Sequence, residues 1–139
     1  MADEKFQRVY SHAPWEAKVG YCRALRAGPH IYVTGTAPVT EDGSTFAPGD
    51  GYRQAALCLE LIEQALHKLG AGRADIVRTR MFVTDIDRWP EFGRDSILRV
   101  GAEDHRPGPC IVLANPARAR LSMSSEHAAQ RVEGSLTTK

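Results

Sequence analysis

The pattern of apolar residues predicts one long amphipathic helix in the middle of the chain. From Asp50 onward, apolar residues recur every three or four positions, which is the spacing of one face of an α-helix. Asp50 is a suitable N-cap, and Gly70 suits the position just beyond the C-terminal end. We therefore predict a helix over about Gly51–Leu69. Its apolar positions are Ala55, Cys58, Leu59, Ile62, Ala65, Leu66 and Leu69.

Two runs of strand-forming residues upstream of this helix predict a β-hairpin. Tyr21–Arg26 and His30–Thr34 flank Ala27-Gly28-Pro29, a segment rich in turn formers. The second run ends in Thr34-Gly35-Thr36, where two hydroxyl groups flank a residue without a side chain. Backbone amides at such a strand end can approach a ligand closely, although most strand ends bind nothing. This strand end is the first candidate site.

Shorter apolar segments complete the predicted order of elements, which is strand, hairpin, helix, strand, helix, strand and a further weak strand. Pro14 and Trp15 fall in a predicted loop, and the chain from Glu126 onward is polar. We expect residues 1–9 and 127–139 to be frayed ends of a single domain over residues 1–139. The remaining predicted strands are Phe6–Tyr10, Asp75–Asp85, Cys110–Leu113 and Ala119–Ser124, and the second helix covers about Trp89–Val100.

Strands mixed with two helices predict an α+β sandwich in which both helices cover one face of a mixed sheet. The opposite face would carry Tyr32, Arg80 and Phe82. Large side chains of this kind do not simply lie in water, so we expect the protein to self-associate through that face.

Composition and charge restrict the classes of partner. With 139 residues, 42% apolar and 25% charged, the chain has the size and composition of one soluble domain. A net charge of +1 and scattered basic residues do not favour nucleic-acid or membrane partners. The N-terminus does not have the pattern of a signal peptide, and no run has the length of a membrane span. Cys22, Cys58 and Cys110 lack metal-ligand spacing, which favours a reduced cytoplasmic compartment and no metal.

Arg106 is the candidate charged ligand-binding residue. It lies between His105 and Pro107, just before the predicted strand Cys110–Leu113. A guanidinium at a strand end can bind a carboxylate through two parallel hydrogen bonds. The alternative is a solvated loop arginine, and the residue type alone favours this alternative.

An ordered set of segments resembles the RidA/YjgF family. The segments are Gly20–Pro38, Gln54–Leu66, Ala74–Asp85 and Arg106-Pro107, and the resemblance covers roughly Tyr10 to Val112. It implies a chorismate-mutase-like α+β fold and a homotrimer whose sheets form a central barrel, with small-molecule sites in the clefts between subunits. It also implies hydrolysis of reactive 2-imino or enamine acids to 2-keto acids and ammonia, without a metal or organic cofactor.

The resemblance also assigns site residues. Tyr21 matches a tyrosine that lines the cleft, and Thr34 and Gly35 match a strand end that gives hydroxyl and backbone contacts to the ligand. Arg106 matches an arginine of a divergent branch that carries Arg-Pro-Ala. We expect it to be the catalytic residue that binds the substrate carboxylate.

Two positions depart from the family pattern. Deaminating members bind the carboxylate with the arginine of a Pro-Ala-Arg motif, and Pro109 stands in its place here. The family's last strand carries two glutamates, one of which positions water. With a short gap after Pro116, Ser122 and Ser124 take those places; without the gap, Ser124 and Glu126 take them. A serine is no base at neutral pH without an activating partner. The alternative function is therefore a non-catalytic trimer that binds small carboxylates, keto acids or a partner protein.

All departures after Val112 begin at one point, as a frame shift or local rearrangement would cause, and sequencing the coding DNA tests that hypothesis. A third function, RNA cleavage or translation inhibition, is attributed to some relatives. The near-neutral charge does not favour it.

Overall fold

The computed structural model describes the backbone of residues 5–92, 110–113, 122–124 and 128–129, and the side chains of residues 5–92. Two short 3₁₀ turns lie at Arg73–Asp75 and Ile86–Arg88. The strands and helices, in chain order, are β1 (Phe6–Val9), α1 (Pro14–Val19), β2 (Ala24–Ala27), β3 (His30–Val33), α2 (Gly51–His67), β4 (Arg80–Val83), α3 (Trp89–Phe92), β5 (Cys110–Leu113), β6 (Ser122–Ser124) and β7 (Ala128–Ala129).

The strands form two sheets. The first has the strand order β1-β2-β3-β7, and the second has the strand order β5-β4-β6. The predicted hairpin is confirmed, since β2 and β3 pair antiparallel and Gly28 takes the left-handed conformation (φ 58°) that a tight turn needs. In the second sheet β4 pairs parallel with β5 and antiparallel with β6. Strands of both orientations together with helices confirm the predicted α+β class.

Helix α2 supplies much of the core, and its prediction is confirmed. The Asp50 side chain accepts the N–H of Arg53 at 3.0 Å, which caps the helix start. One face of the helix is buried against β3 and β6. Ile62 and Leu66 are fully buried, and each such side chain contributes about 1.5–3 kcal/mol. The helix ends at His67, where the N–H of Ala71 turns back to the carbonyl of Leu66 at 3.0 Å.

An arginine ties the end of α2 to the hairpin. Nη1 of Arg26 donates to the carbonyl of Leu69 at 2.6 Å, and its Nε donates to the carbonyl of Gly28 at 3.2 Å. The accepting carbonyl lies two residues beyond the helix end, where a cation also interacts favourably with the helix dipole. Arg26 therefore links the hairpin turn to the chain that follows α2.

The loop predicted around Pro14 is wrong, because Pro14–Val19 forms α1. Proline is tolerated in the first turn of a helix, where its missing N–H has no partner to lose. The carboxylate of Glu16 accepts the backbone N–H groups of Ser11 and His12 at 3.0 Å, which holds the preceding loop against the helix. Gly20 ends the helix at φ 79° and donates to the carbonyl of Glu16 at 2.9 Å.

The predicted strand Asp75–Asp85 is too long, since β4 spans only Arg80–Val83. At its beginning the carboxylate of Asp75 accepts the N–H of Gly72 at 2.8 Å, which stabilises a 3₁₀ turn instead of a strand. Met81 and Val83 are buried on one face, as the alternation predicts.

The predicted frayed ends are partly wrong. Phe6–Val9 forms β1 and pairs with β2, which confirms most of the predicted strand Phe6–Tyr10. At the other end of the chain, β7 pairs antiparallel with β3, with Ala128 opposite Ile31. Of the second predicted helix, Trp89–Phe92 is helical and the remainder lies outside the described residues. Within the described parts of the chain, no helix has the length and apolar character that crossing a bilayer requires.

Candidate functional site

A cleft of about 540 Å³ lies beside the end of the hairpin, and it contains two of the predicted site residues, Tyr21 and Thr34. Its volume is within the range of small-molecule sites. The walls come from β1, α1 and the two hairpin strands. The lining residues are Arg8, Tyr10, Glu16, Ala17, Gly20, Tyr21, Cys22, Leu25, Tyr32, Val33 and Thr34.

The hydroxyl of Thr34 has a fixed direction. It donates to the carbonyl oxygen of Cys22 at 2.5 Å, and a carbonyl can only accept. The single proton of this hydroxyl is therefore used within the protein. Toward a ligand or a water molecule, Thr34 offers lone pairs and accepts hydrogen bonds.

Gly35, the third predicted residue of this site, is not among the residues that line the cleft, but it follows Thr34 directly and offers the complementary group. It is exposed, and its N–H donates to no acceptor within residues 5–92. A Cβ added at Gly35 would meet no atom within 4 Å, so the approach to this amide is open. The strand end therefore presents a backbone donor next to a side-chain acceptor.

Arg23 organises this strand end from the inside, and the sequence-based prediction missed it. Its Nη2 donates to the carbonyls of Thr34 at 2.7 Å and Gly35 at 3.2 Å, and also to Oγ1 of Thr36. The sequence gives only a weak indication of this role. Arg23 directly precedes one strand of the predicted hairpin, and the other strand leads into Thr34-Gly35-Thr36.

The side chain of Arg23 is half-buried, and its Nε is fully buried. Burial lowers its pKa, while Tyr21, Glu16 and Cys58 nearby partly offset this shift, and an arginine remains charged at neutral pH. Its Nε is buried without an acceptor among the described side chains. A buried donor without a partner costs about 1–3 kcal/mol. The arrangement is therefore not the one that stability alone would favour.

Glu16 forms the floor of the cleft and is not a free base. Its side chain is 5% exposed, and its carboxylate accepts Oγ of Ser11 at 2.7 Å in addition to the two backbone N–H groups of Ser11 and His12. Burial raises the pKa of Glu16, but these hydrogen bonds and Arg23 lower it by more, so the net pKa is below the usual range. The carboxylate is ionised and already bound.

Arg106, the predicted catalytic residue, lies outside the described residues, as do Pro109 and Glu126. The backbone of Ser122–Ser124 lies next to β4, with Ser122 opposite Phe82 and Ser124 opposite Arg80. No group of three or more potential metal ligands occurs in the described part of the chain.

A second cavity, of about 370 Å³, lies beside the start of α2 and is a weaker candidate. Arg88 in its wall is bound to Glu91 at 2.7 Å and to the carbonyl of Gly49 at 2.6 Å. The amide of Gln54 donates to two nearby carbonyls. The Arg88 and Gln54 side chains are therefore engaged within the protein, whereas the N–H of Gly35 beside the hairpin cleft has no acceptor within residues 5–92.

The fold and the hairpin cleft define an α+β protein with a small-molecule-sized site at a strand end. The chain belongs to the family described as Endoribonuclease L-PSP, which includes YjgF and RidA, and the family model matches residues 10–123.

Solved structures agree with this assignment. Rv2704 from Mycobacterium tuberculosis, a member of the YjgF/YER057c/UK114 family, is 34% identical with a TM-score of 0.70, over 90% of this chain and 99% of that one. The protein YjgH has a TM-score of 0.71 at 18% identity, over 91% of this chain and 99% of that one, which shows the shared fold alone.

Curated relatives are similar over shorter segments. The uncharacterized protein SCO2049 from Streptomyces coelicolor is 33% identical over 81 residues, which is 58% of this chain and 60% of that protein. The RutC family protein PYRAB12510 from Pyrococcus abyssi is 26% identical over 94 residues, 62% of this chain and 74% of that protein.

Proposed function

We propose that this protein hydrolyses reactive 2-imino and enamine acids to 2-keto acids and ammonia. The observation that carries the proposal is that a donor, the N–H of Gly35, lies next to an acceptor, the hydroxyl of Thr34, beside a cleft that Tyr21 lines. A planar imino acid presents both an acceptor, its carboxylate, and a donor, its N–H. The strand end has the groups to bind both.

The reaction needs only water. The enamine first tautomerises to the imine, and water then adds to the C=N carbon while the nitrogen gains a proton. The carbinolamine loses ammonia as its C–N bond breaks and C=O forms, so no electrons are exchanged with another reagent. Because the substrate is reactive by itself, orientation of the substrate and water is the main contribution required of the protein.

Each proposed residue has a separate role. The lone pairs of Thr34 Oγ1 accept from the imine N–H or from the attacking water, the N–H of Gly35 donates to the carboxylate, and Tyr21 encloses the cleft. Arg106 is proposed as the cation that binds the same carboxylate through two hydrogen bonds. In this account Arg106 substitutes for the family arginine that Pro109 replaces.

We further propose that the protein is a homotrimer in the cytoplasm, with the clefts completed between subunits. Arg8, Leu25 and Tyr32 lie in one row across three strands on the exposed sheet face. Tyr32 is 40% exposed and Phe6 is 42% exposed. Aromatic side chains on an open sheet face support self-association. Light scattering should give three times the mass of one chain, and a monomer would contradict this proposal.

A second candidate is a non-catalytic trimer that binds small carboxylates or keto acids, or a partner protein. Pro109 in place of the motif arginine favours it, and so does a serine in one or both of the two glutamate places. RNA cleavage, which the family description names, has less support, because the net charge is +1.

The test uses 2-aminoacrylate generated enzymatically in the presence of the purified protein, with release of pyruvate as the signal. Faster release than in buffer supports hydrolysis, whereas pyruvate binding without faster release supports the second candidate. Arg106→Ala should lower kcat/KM by about 10- to 150-fold, the effect of losing a charged hydrogen bond. Arg73→Ala is the matched control, because Arg73 pairs with Glu63 at 2.7 Å outside the cleft lining.

A further inference from the structure

We propose that Arg23 is a positioning residue, which orients the Gly35 N–H toward the ligand without touching the ligand. The inference rests on the proposed site at the hairpin cleft. Arg23 fixes the backbone conformation at the strand end through the carbonyls of Thr34 and Gly35.

The direction of the Gly35 N–H follows from peptide geometry. In a trans peptide the carbonyl and the N–H point to opposite sides, and the described residues contain no cis peptide. The carbonyl of Thr34 points to Nη2 of Arg23 at 2.7 Å, so the N–H of Gly35, in the same peptide, points away from Arg23. The carbonyl of Gly35 also accepts from this nitrogen, at 3.2 Å. Both peptides that flank Gly35 are therefore held by one guanidinium.

This segment needs such a support. Strand β3 ends at Val33, and the N–H of Thr34 still donates to the carbonyl of Arg23 at 3.1 Å. The two peptides that flank Gly35 lie beyond this last backbone bond between the hairpin segments. Gly35 has no side chain and would otherwise sample many backbone conformations.

The contacts favour an arginine over a lysine as the support. Nη2 contacts two carbonyls and the Thr36 hydroxyl, and its two protons are shared among these three acceptors. A lysine ammonium carries the charge on a flexible stem without the planar guanidinium, so it would hold the two peptides less firmly.

The test compares Arg23→Met and Arg23→Lys with Arg26→Met. Arg26 is the matched control, because it lies three residues after Arg23 on the same side of the hairpin but binds the carbonyl of Leu69, just beyond α2. Protein labelled with ¹⁵N-glycine has at most 12 glycine amide signals, and the Gly35 signal is the one that Gly35→Ala removes. Pyruvate, the keto-acid product, is titrated against each protein, and KM and kcat are measured separately with 2-aminoacrylate.

Arg23→Met should shift the Gly35 amide signal and raise both the Kd for pyruvate and the KM by about tenfold. The kcat should stay within about twofold, because the Gly35 N–H binds the carboxylate equally in substrate and transition state. Arg23→Lys should give intermediate values, and it also serves if Arg23→Met does not fold. Arg26→Met should lower stability but leave Kd and KM unchanged.

Two outcomes overturn the role of Arg23. One is an unchanged Gly35 signal and unchanged KM in Arg23→Met. The other is parallel loss in Arg23→Met and Arg26→Met, which indicates a merely structural role. Pyruvate binding to the wild type without hydrolysis would refute the enzymatic proposal and leave the role of Arg23 intact. Wild-type protein that does not bind pyruvate refutes both.

Discussion

The hydroxyl of Thr34 donates to the carbonyl oxygen of Cys22 at 2.5 Å, which joins the segment before β2 to the segment after β3 beside the cleft. This bond determines which group at the strand end accepts hydrogen bonds and which group donates them. Because the Thr34 proton is used internally, the hydroxyl accepts hydrogen bonds, and the donor for an anionic ligand is the backbone N–H of Gly35. Each of these two groups can be changed separately.

Replacing Thr34 by valine should lower kcat/KM for 2-aminoacrylate by about tenfold, because the methyl group cannot accept a hydrogen bond from water or an imine. Thr34→Ser keeps the hydroxyl and should retain most of the rate. Pyruvate release is the measurement for both variants. Equal rates for the valine and serine variants would remove the Thr34 hydroxyl from the mechanism.

Gly35→Ala should separate site function from stability. Gly35 does not have a positive φ, and a Cβ there meets no atom within 4 Å, so the free energy of unfolding should change by less than about 0.5 kcal/mol. Pyruvate affinity should nevertheless fall, because the methyl group obstructs approach to the amide. The mass of the variant should be measured by light scattering alongside the titration. If Gly35→Ala abolishes the trimer, a neighbouring subunit and not the ligand approaches Gly35. Unchanged affinity would exclude close approach of the ligand to Gly35.

The elements that the sequence predicted well have strong local signals. Helix α2 combines a sustained apolar period with the Asp50 cap, and the hairpin combines two strand runs with Gly28 in its turn. Helix α1 has six residues and no apolar period, and it depends on hydrogen bonds from Ser11 and His12 to Glu16. Such bonds exist only after the loop folds back on the helix.

In the candidate site, too, some residues could be predicted from the sequence and others depend on contacts that form only in the folded protein. Family resemblance was enough to predict that Tyr21 and Thr34 line one cleft. The role of Arg23 depends on carbonyl groups of residues eleven and twelve positions away along the chain. Residue types do not reveal where carbonyl groups point, so this contact required the folded hairpin.

Glu16→Gln should make stability less dependent on pH in the acid range. The pKa of Glu16 is lowered by the fold, so its ionised form stabilises the protein above the usual unfolded-state pKa of about 4.3, and this contribution is lost as pH falls through the folded pKa. The variant should be less stable than wild type at pH 7, and the difference in Tm should shrink toward pH 3. The exposed Glu60→Gln is the control. A difference that stays constant with pH would contradict this role.

The described cysteines should differ in reactivity toward alkylating reagents. Burial raises the pKa of Cys58 to about 12, and its Sγ donates to the carbonyl of Thr36 at 3.5 Å. Only the thiolate reacts, so Cys58 should remain unmodified in the native protein at pH 8. Cys22 lies half-buried in the cleft and should react first, more slowly in the presence of pyruvate. Mass mapping of separate peptides checks both statements, and early modification of Cys58 would contradict the first.

The most direct test of the central claim is the initial rate of pyruvate release from freshly generated 2-aminoacrylate at several protein concentrations. We expect the rate to rise in proportion to the wild-type protein and to fall close to the buffer rate with Arg106→Ala. A rate that equals buffer at every wild-type concentration would contradict imine hydrolysis by this protein.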